Sequence, residues 1–179
     1  MRHVKSNVMD GAAMQRTLMR IAHEIIESNK DAHDIALVGI VARGDIAAER
    51  LAHNIHKITG VRVPVGRLDI TFYRDDVRIY SAPEIQRTEI AFSVEGKTVI
   101  LVDDVLFTGR TIRCAMDAVM DFGRPSAIQL AVMIDRGHRE LPIRADYVGK
   151  NVPSAPGERI QVRLAPTDTV DSVDIVEEV

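Results

Sequence analysis

Residues 99–111 read VILVDDVLFTGRT. An apolar, β-branched run leads straight into Asp103 and Asp104, and a turn of Thr108, Gly109, Arg110 and Thr111 follows. Such a run reads as a strand buried on both faces, and paired carboxylates at its tip need a use for their charge. In open parallel sheets, ligands bind beyond the carboxyl ends of the strands. The turn opens a helix whose free N–H groups and dipole suit an anion, and Gly109 lets backbone come close. The hydroxyls of Thr108 and Thr111 add donors. A phosphate fits this cradle, whereas two carboxylates beside it suit hydroxyl groups or Mg²⁺ held through oxygen. The string therefore demands a ligand with a phosphate on one side and a diol or metal on the other, as in a ribose 5′-phosphate.

Outward from this string, strands and helices alternate. Asp10 reads as a helix N-cap before MQRTLMRIAHEIIESN, in which Met14, Leu18, Ile21 and Ile25 repeat at helical spacing. IALVGIVARG (35–44) reads as a buried strand ending in Arg43-Gly44, and residues 45–58 as an amphipathic helix stopped by Gly60. A strand follows near 61–71. Residues 72–96 carry charge without a sustained period and read as a flexible flap or lid. Residues 97–104 form the next strand, 109–123 a helix ending at Gly123, and 126–135 another strand that delivers Asp135-Arg136-Gly137 to its end. The tail reads as short strands joined by proline-containing turns. The alternation predicts one α/β domain over residues 1–179, with a central parallel sheet flanked by helices. Three strand ends then bring ionisable residues to one rim.

Composition narrows the function classes. The chain has 179 residues, is 46% hydrophobic and carries a net charge of −3, so a strongly cationic nucleic-acid protein is not expected. A local basic face remains possible, because binding answers to the local field. Aromatics are only 4% with no tryptophan, which disfavours base stacking on aromatic platforms. Cys114 is alone, so neither an intrachain disulfide nor a thiolate metal cluster can form. The absence of a long apolar run and of a secretory signal predicts a cytoplasmic protein with no membrane partner. No P-loop Gly-Lys-Ser/Thr and no G-x-G-x-x-G are present. A purely structural role, with the aspartates capping a helix and pairing with Arg110, would explain one feature of the string but not the set.

The string VILVDDVLFTGRT resembles the phosphoribosyl-pyrophosphate (PRPP) motif of type I phosphoribosyltransferases. RIAHEIIESNK, LVGIVARG, LDITFYRDD and GRPSAIQLAVMIDRGHRELPIRADYVGKNVP, in this order from about residue 10 to 164, resemble the PyrR family. Its members are bifunctional pyrimidine-operon attenuation regulators and uracil phosphoribosyltransferases. The resemblance implies a type I phosphoribosyltransferase-like fold with a flap or hood, and a reaction of uracil with PRPP to give UMP and diphosphate, with Mg²⁺ accompanying the donor. It implies that Asp103 and Asp104 bind the ribose hydroxyls, and that Val105, Leu106, Phe107, Thr108, Gly109, Arg110 and Thr111 line the 5′-phosphate loop. Ala42 and Arg43 match the pyrophosphate turn, Tyr73 and Arg74 the base of the lid, Arg136 the substrate rim, and Ile160 a base contact. Arg43, Asp103, Asp104 and Arg136 form the implied catalytic set.

The family's second activity is binding a leader mRNA stem-loop under control of UMP or UTP. Two basic sets could meet RNA phosphates and 2′-hydroxyls. Arg16, Arg20 and His23 share the outer face of the first helix, while His138, Arg139, Arg144 and Lys150 lie beyond Arg136; the resemblance implies that His23, Arg139 and Arg144 belong to the RNA-binding surface. The departures from the family pattern are Met19 and Ala42, each where a threonine is common, and a 154–158 segment without its usual basic residue. The alternatives are transfer to another base, or a nucleotide-sensing RNA-binding protein with little catalysis. Family members also self-associate, as a dimer or a higher form.

Overall fold

The computed structural model describes residues 2–71 and 87–178. Strand β1 (Arg2–Asp10) leads into helix α1 (Gly11–Ser28), and a short 3₁₀ turn precedes β2 (Ile35–Ile40). Then come α2 (Gly44–Thr59), β3 (Val65–Leu68), β4 (Thr98–Leu106), α3 (Arg110–Met120), β5 (Ala127–Asp135) and β6 (Tyr147–Asn151). The chain closes with β7 (Glu158–Arg163) and β8 (Ser172–Glu178). The main sheet has the order β3-β2-β4-β5-β6, and its described strand pairs are all parallel. This is the expected parallel α/β sheet.

Local chemistry explains the helix ends. The Asp10 carboxylate accepts from the Ala13 N–H at 2.7 Å, satisfying an otherwise free donor of the first turn. Gly60, at φ 77°, donates to His56 O at 2.8 Å and stops α2. Along β4 the side chains alternate: Ile100 and Val102 pack with α1 and α2, while Val99 and Leu101 pack with α3. The sheet is thus covered on both faces, which is why its strands read as continuous apolar runs.

Several expectations are corrected. The strand beginning at residue 35 ends at Ile40, and residues 41–43 form a turn in which the Val41–Ala42 peptide is cis. The strand expected near 61–71 is confined to Val65–Leu68. The N-terminal segment, for which no strand was expected, is β1, paired antiparallel with β8. With β7 these strands form a second sheet, β1-β8-β7, which acts as a hood beside the rim of the main one. Strand β1 takes its hydrogen bonds from partners more than 150 residues away, such as Val4 opposite Val176, so no local pattern announces it, whereas β7 and β8 pair with each other and are the short strands expected in the tail. Tyr73, Arg74 and most of the segment read as a flap lie outside the described residues. Residues 87–96 pack on the body: Glu89 and Arg67 exchange two backbone hydrogen bonds of 2.8 Å, and Val94 is fully buried.

Candidate active site at the rim of the parallel sheet

Strands β2, β4 and β5 are neighbours and run in the same direction, so their carboxyl ends meet along one rim. Register pairs Leu106 with Asp135, which sets the end of β4 beside Arg136. The two aspartates do not terminate β4, as the apolar run had suggested. The strand continues to Leu106, with Asp103 buried and Asp104 half-buried. Each carboxylate accepts from the next residue's backbone: Asp104 N donates to Asp103 Oδ1 at 2.9 Å, and Val105 N to Asp104 Oδ1 at 2.8 Å. Burial, and then the neighbouring Asp104 charge, push the Asp103 carboxyl well above its usual range. Burial also raises Asp104, partly opposed by its hydrogen bonds and by the Arg43 charge. Neither aspartate pairs with Arg110, whose guanidinium reaches Glu140 at 2.6 Å.

The 105–111 segment forms the expected cradle. Gly109 has φ 93°, a conformation open to glycine, and its place at the start of α3 has no side-chain cap. Of the first-turn N–H groups, Arg110 N donates to Thr108 Oγ1 at 3.3 Å, and those of residues 110–112 have no intrahelical acceptor. A cavity of about 460 Å³ is lined by Val105–Ile112 together with Glu140. The following loop braces it, because Glu140 N and Leu141 N donate to Thr108 O at 2.9 and 3.2 Å.

A second cavity of about 250 Å³ joins the rim to the hood, with Arg43 and Asp104 on one side and Arg159, Ile160 and Gln161 on the other. Ile160, expected as a base contact, lines this cavity together with Asp104. Arg43 adopts φ 79° and donates Nε to Asp168 Oδ2 at 2.9 Å and Nη2 to Asp168 Oδ1 at 3.0 Å. These hydrogen bonds hold the Arg43 guanidinium firmly charged and keep Asp168 below the usual carboxylate range. Ala42 is exposed beside it.

Arg136 is buried with 8% exposure. Its Nε donates to Ser154 Oγ at 2.8 Å and its Nη2 to Glu158 O at 2.9 Å, while its guanidinium lies 4.1 Å from the Phe107 ring centre. Burial, with the nearby Arg159 charge, pulls its pKa down. It pairs with neither Asp135 nor Glu140. The turn at 154–158, which lacks the basic residue of the family pattern, is what holds this arginine. Ser154 and Asp168 carry no signal of this role in the sequence, because they lie 18 and 125 residues from the arginines they hold.

The basic residues fall into separate places. Arg16 and Arg20 line a cavity of about 400 Å³ with Gly149 and Lys150. Arg20 also donates to Gly149 O at 2.6 Å and pairs with Glu24, while His23 is exposed further along α1. Arg144 borders a different cavity with Ile112, Met116 and Leu130, on the α3 side of the sheet. Arg139 ties its own loop to the 105–111 segment, donating to Phe107 O at 2.8 Å and Ile143 O at 2.9 Å and pairing with Asp135.

With this geometry in place, comparison with known proteins decides the family. The phosphoribosyl transferase domain model matches residues 5–167. The bifunctional protein PyrR of Enterococcus faecalis is 57% identical over 171 residues, 96% of each chain. The chain belongs to the PyrR family. Bifunctional PyrR of Chloroflexus aurantiacus is 56% identical over 173 residues, 96% of this chain and 95% of that one. Among solved structures, a hypoxanthine-guanine phosphoribosyltransferase from Bacillus anthracis superposes with TM-score 0.73 at 18% identity, covering 98% of this chain and 99% of the other. That likeness supports a shared fold, and the PyrR kinship rests on the sequence matches. Among the described residues no helix is long and apolar enough to cross a membrane.

Proposed function

We propose that this PyrR-family chain is a pyrimidine-operon regulator that binds leader mRNA in response to uridine nucleotides and is also a uracil phosphoribosyltransferase, a glycosyltransferase that converts uracil and PRPP into UMP and diphosphate. One observation carries the assignment of the site: the Asp103–Asp104 pair stands on one rim with an uncapped helix start on one side and the Arg43 turn on the other. The donor has matching parts in the same sequence: a 5′-phosphate, a ribose diol and a pyrophosphate.

In this reading the N–H groups of the 108–111 turn and the hydroxyls of Thr108 and Thr111 hold the 5′-phosphate. Asp103 and Asp104 accept from the ribose hydroxyls, and the Ala42–Arg43 turn receives the pyrophosphate. The uracil ring nitrogen forms a bond to the anomeric carbon as the carbon–oxygen bond to pyrophosphate breaks, and the nitrogen's proton is lost to solvent or a nearby base. The sugar passes through an oxocarbenium-like state, so the protein's contribution is position and charge. Arg43 faces the charge that grows on the departing pyrophosphate. Arg136, fixed by Ser154, Glu158 and Phe107, supplies a rigid cationic wall. Ile160 contacts the base, and Tyr73 and Arg74 belong to the lid that excludes water.

The described residues contain no group of three or more His, Cys, Asp or Glu side chains able to hold a metal ion. Two adjacent carboxylates are nonetheless oxygen donors of the hard kind that Mg²⁺ accepts alongside substrate oxygens. Asp103 and Asp104 would hold it with the donor, and when bound it neutralises pyrophosphate charge. Leader mRNA is the partner of the second activity. Its support on the surface is the Arg16–Arg20–Lys150 cavity, with His23, Arg139 and Arg144 as the further contacts. Self-association completes the proposal.

The test is formation of UMP from uracil and PRPP. UMP and diphosphate in equal amounts are expected; PRPP bound without UMP would leave a nucleotide-sensing RNA-binding protein, and orotate or a purine consumed instead would move the enzyme to another base.

A further inference from the structure

Arg43 holds a backbone conformation, φ 79°, that is disfavoured for any residue with a Cβ. Such a conformation persists where its surroundings over-determine it. On the carboxyl side the surroundings are Gly44, packed against Val102 O, and the Arg43 carbonyl, which accepts from Ala47 N at 3.0 Å. On the side chain, the Asp168 carboxylate binds the guanidinium through both oxygens, with the Asp104 charge nearby.

Asp168 is itself fixed. Its Oδ2 accepts from Leu164 N at 2.8 Å, and its own N–H donates to Leu164 O at 2.9 Å. Three residues on, Asp171 repeats the pattern. It binds Arg50 of the same helix at 2.5 and 3.0 Å and accepts from Ala165 N at 2.8 Å. The loop between β7 and β8 is thereby clamped to α2 at two points one turn or more apart. Exposed ion pairs are worth little. This one is two-pronged, its side chains are 30% and 16% exposed, and its acid is pre-set by backbone bonds.

We propose that Asp168 is a positioning residue for the donor: it fixes the Arg43 guanidinium and with it the 41–44 turn, so that the turn meets the pyrophosphate end of PRPP in a ready-made conformation. The inference rests on the reading of the rim as the PRPP site. Asp168 acts through Arg43. Its effect falls on ligands that carry pyrophosphate and spares UMP, which lacks that group.

Calorimetric titration with inorganic pyrophosphate, PRPP and UMP, all with Mg²⁺ present, separates the possibilities for the full chain and for Asp168→Asn, Asp168→Glu, Arg43→Ala and the double variant Asp168→Asn with Arg43→Ala. Asp168→Asn is expected to weaken pyrophosphate and PRPP by about tenfold, the usual worth of a charged hydrogen-bonded pair, with UMP affinity unchanged. Asp168→Glu recovers part of the loss, and the double variant binds pyrophosphate no more weakly than Arg43→Ala alone. Unchanged pyrophosphate binding in Asp168→Asn overturns the inference, as do equal losses for UMP or additive losses in the double variant. Failure of the unaltered protein to bind either PRPP or UMP would instead refute the site itself.

Discussion

Gly44 is where α2 meets the sheet, and replacing it with alanine tests the packing that places the site. A Cβ there would lie 2.4 Å from Val102 O and 3.1 Å from Asp103 Cα, whereas ordinary contact begins at 3.4 Å. Val102 belongs to a strand bonded on both sides, so its carbonyl cannot retreat. Gly39 sits across the same approach, where a Cβ would meet Asp45 Cα at 2.3 Å. The start of α2 must therefore withdraw by about 1 Å, an overpacking that costs about 1–3 kcal/mol. For a domain of this size the upper end lowers Tm by roughly 6–12 °C. The same displacement carries the Arg43 turn away from Asp103 and Asp104, and a misplacement of about 1 Å costs on the order of 100-fold in kcat/KM. Scanning calorimetry and kinetics with PRPP varied measure both, and Gly157→Ala, where a Cβ meets nothing within 4 Å, is the silent control. Gly44→Ala melting with the unaltered protein and keeping its PRPP KM would refute the reasoning.

Further expectations follow from the charges. Since Asp103 and Asp104 are raised by burial, PRPP affinity should fall on acidification well before the ordinary carboxylate range near pH ~4; affinity flat down to that range would contradict the assignment. The stability sign is opposite for the two kinds of acid. The raised pair favours folding only while protonated, a contribution lost as pH rises through its folded pKa, so Asp103→Asn should melt no lower than the unaltered protein at neutral pH. Asp168, held down by Arg43, contributes stability above the unfolded carboxylate value that is lost only as pH falls through its lower folded pKa. Arg139→Ala should lower Tm by several degrees, because its bonds to Phe107, Asp135 and Ile143 brace the loop beside the phosphate cradle, whereas exposed Arg144→Ala should leave Tm unchanged. RNA gel-shift titration then shows whether Arg144→Ala alone weakens leader binding, which it should if that face meets RNA. Arg136→Ala strips the donor from Ser154 Oγ and Glu158 O and should raise the uracil KM while lowering Tm.

The parts of the site legible in the sequence are those written in consecutive residues. The paired acids, the Thr-Gly turn and the Arg-Gly strand end each combine an element boundary with a charge, and a parallel sheet gathers such boundaries on one rim. What escaped the sequence is held by long-range pairing. Asp168 meets Arg43 across 125 residues, and Ser154 meets Arg136 through a turn whose composition suggests only a loop. The hood sheet joins the two ends of the chain, and β1 has no strong alternation of its own. The continuation of β4 through its aspartates to Leu106 was hidden because a carboxylate looks like the end of an apolar run, although here each one caps the next backbone N–H. Periodicity set Arg16, Arg20 and His23 on one helix face but could not say that Arg20 spends its guanidinium on β6 carbonyls.

The central claim is that Asp103 and Asp104 hold the ribose of the donor. Titration of PRPP into the unaltered protein and into the double variant Asp103→Asn with Asp104→Asn, with Mg²⁺ present and Tm recorded on the same samples, tests it most directly. The account predicts saturable binding in the first and a loss of about 100-fold or more in the second, with Tm held or raised. Equal affinity in a variant of unchanged Tm would contradict it.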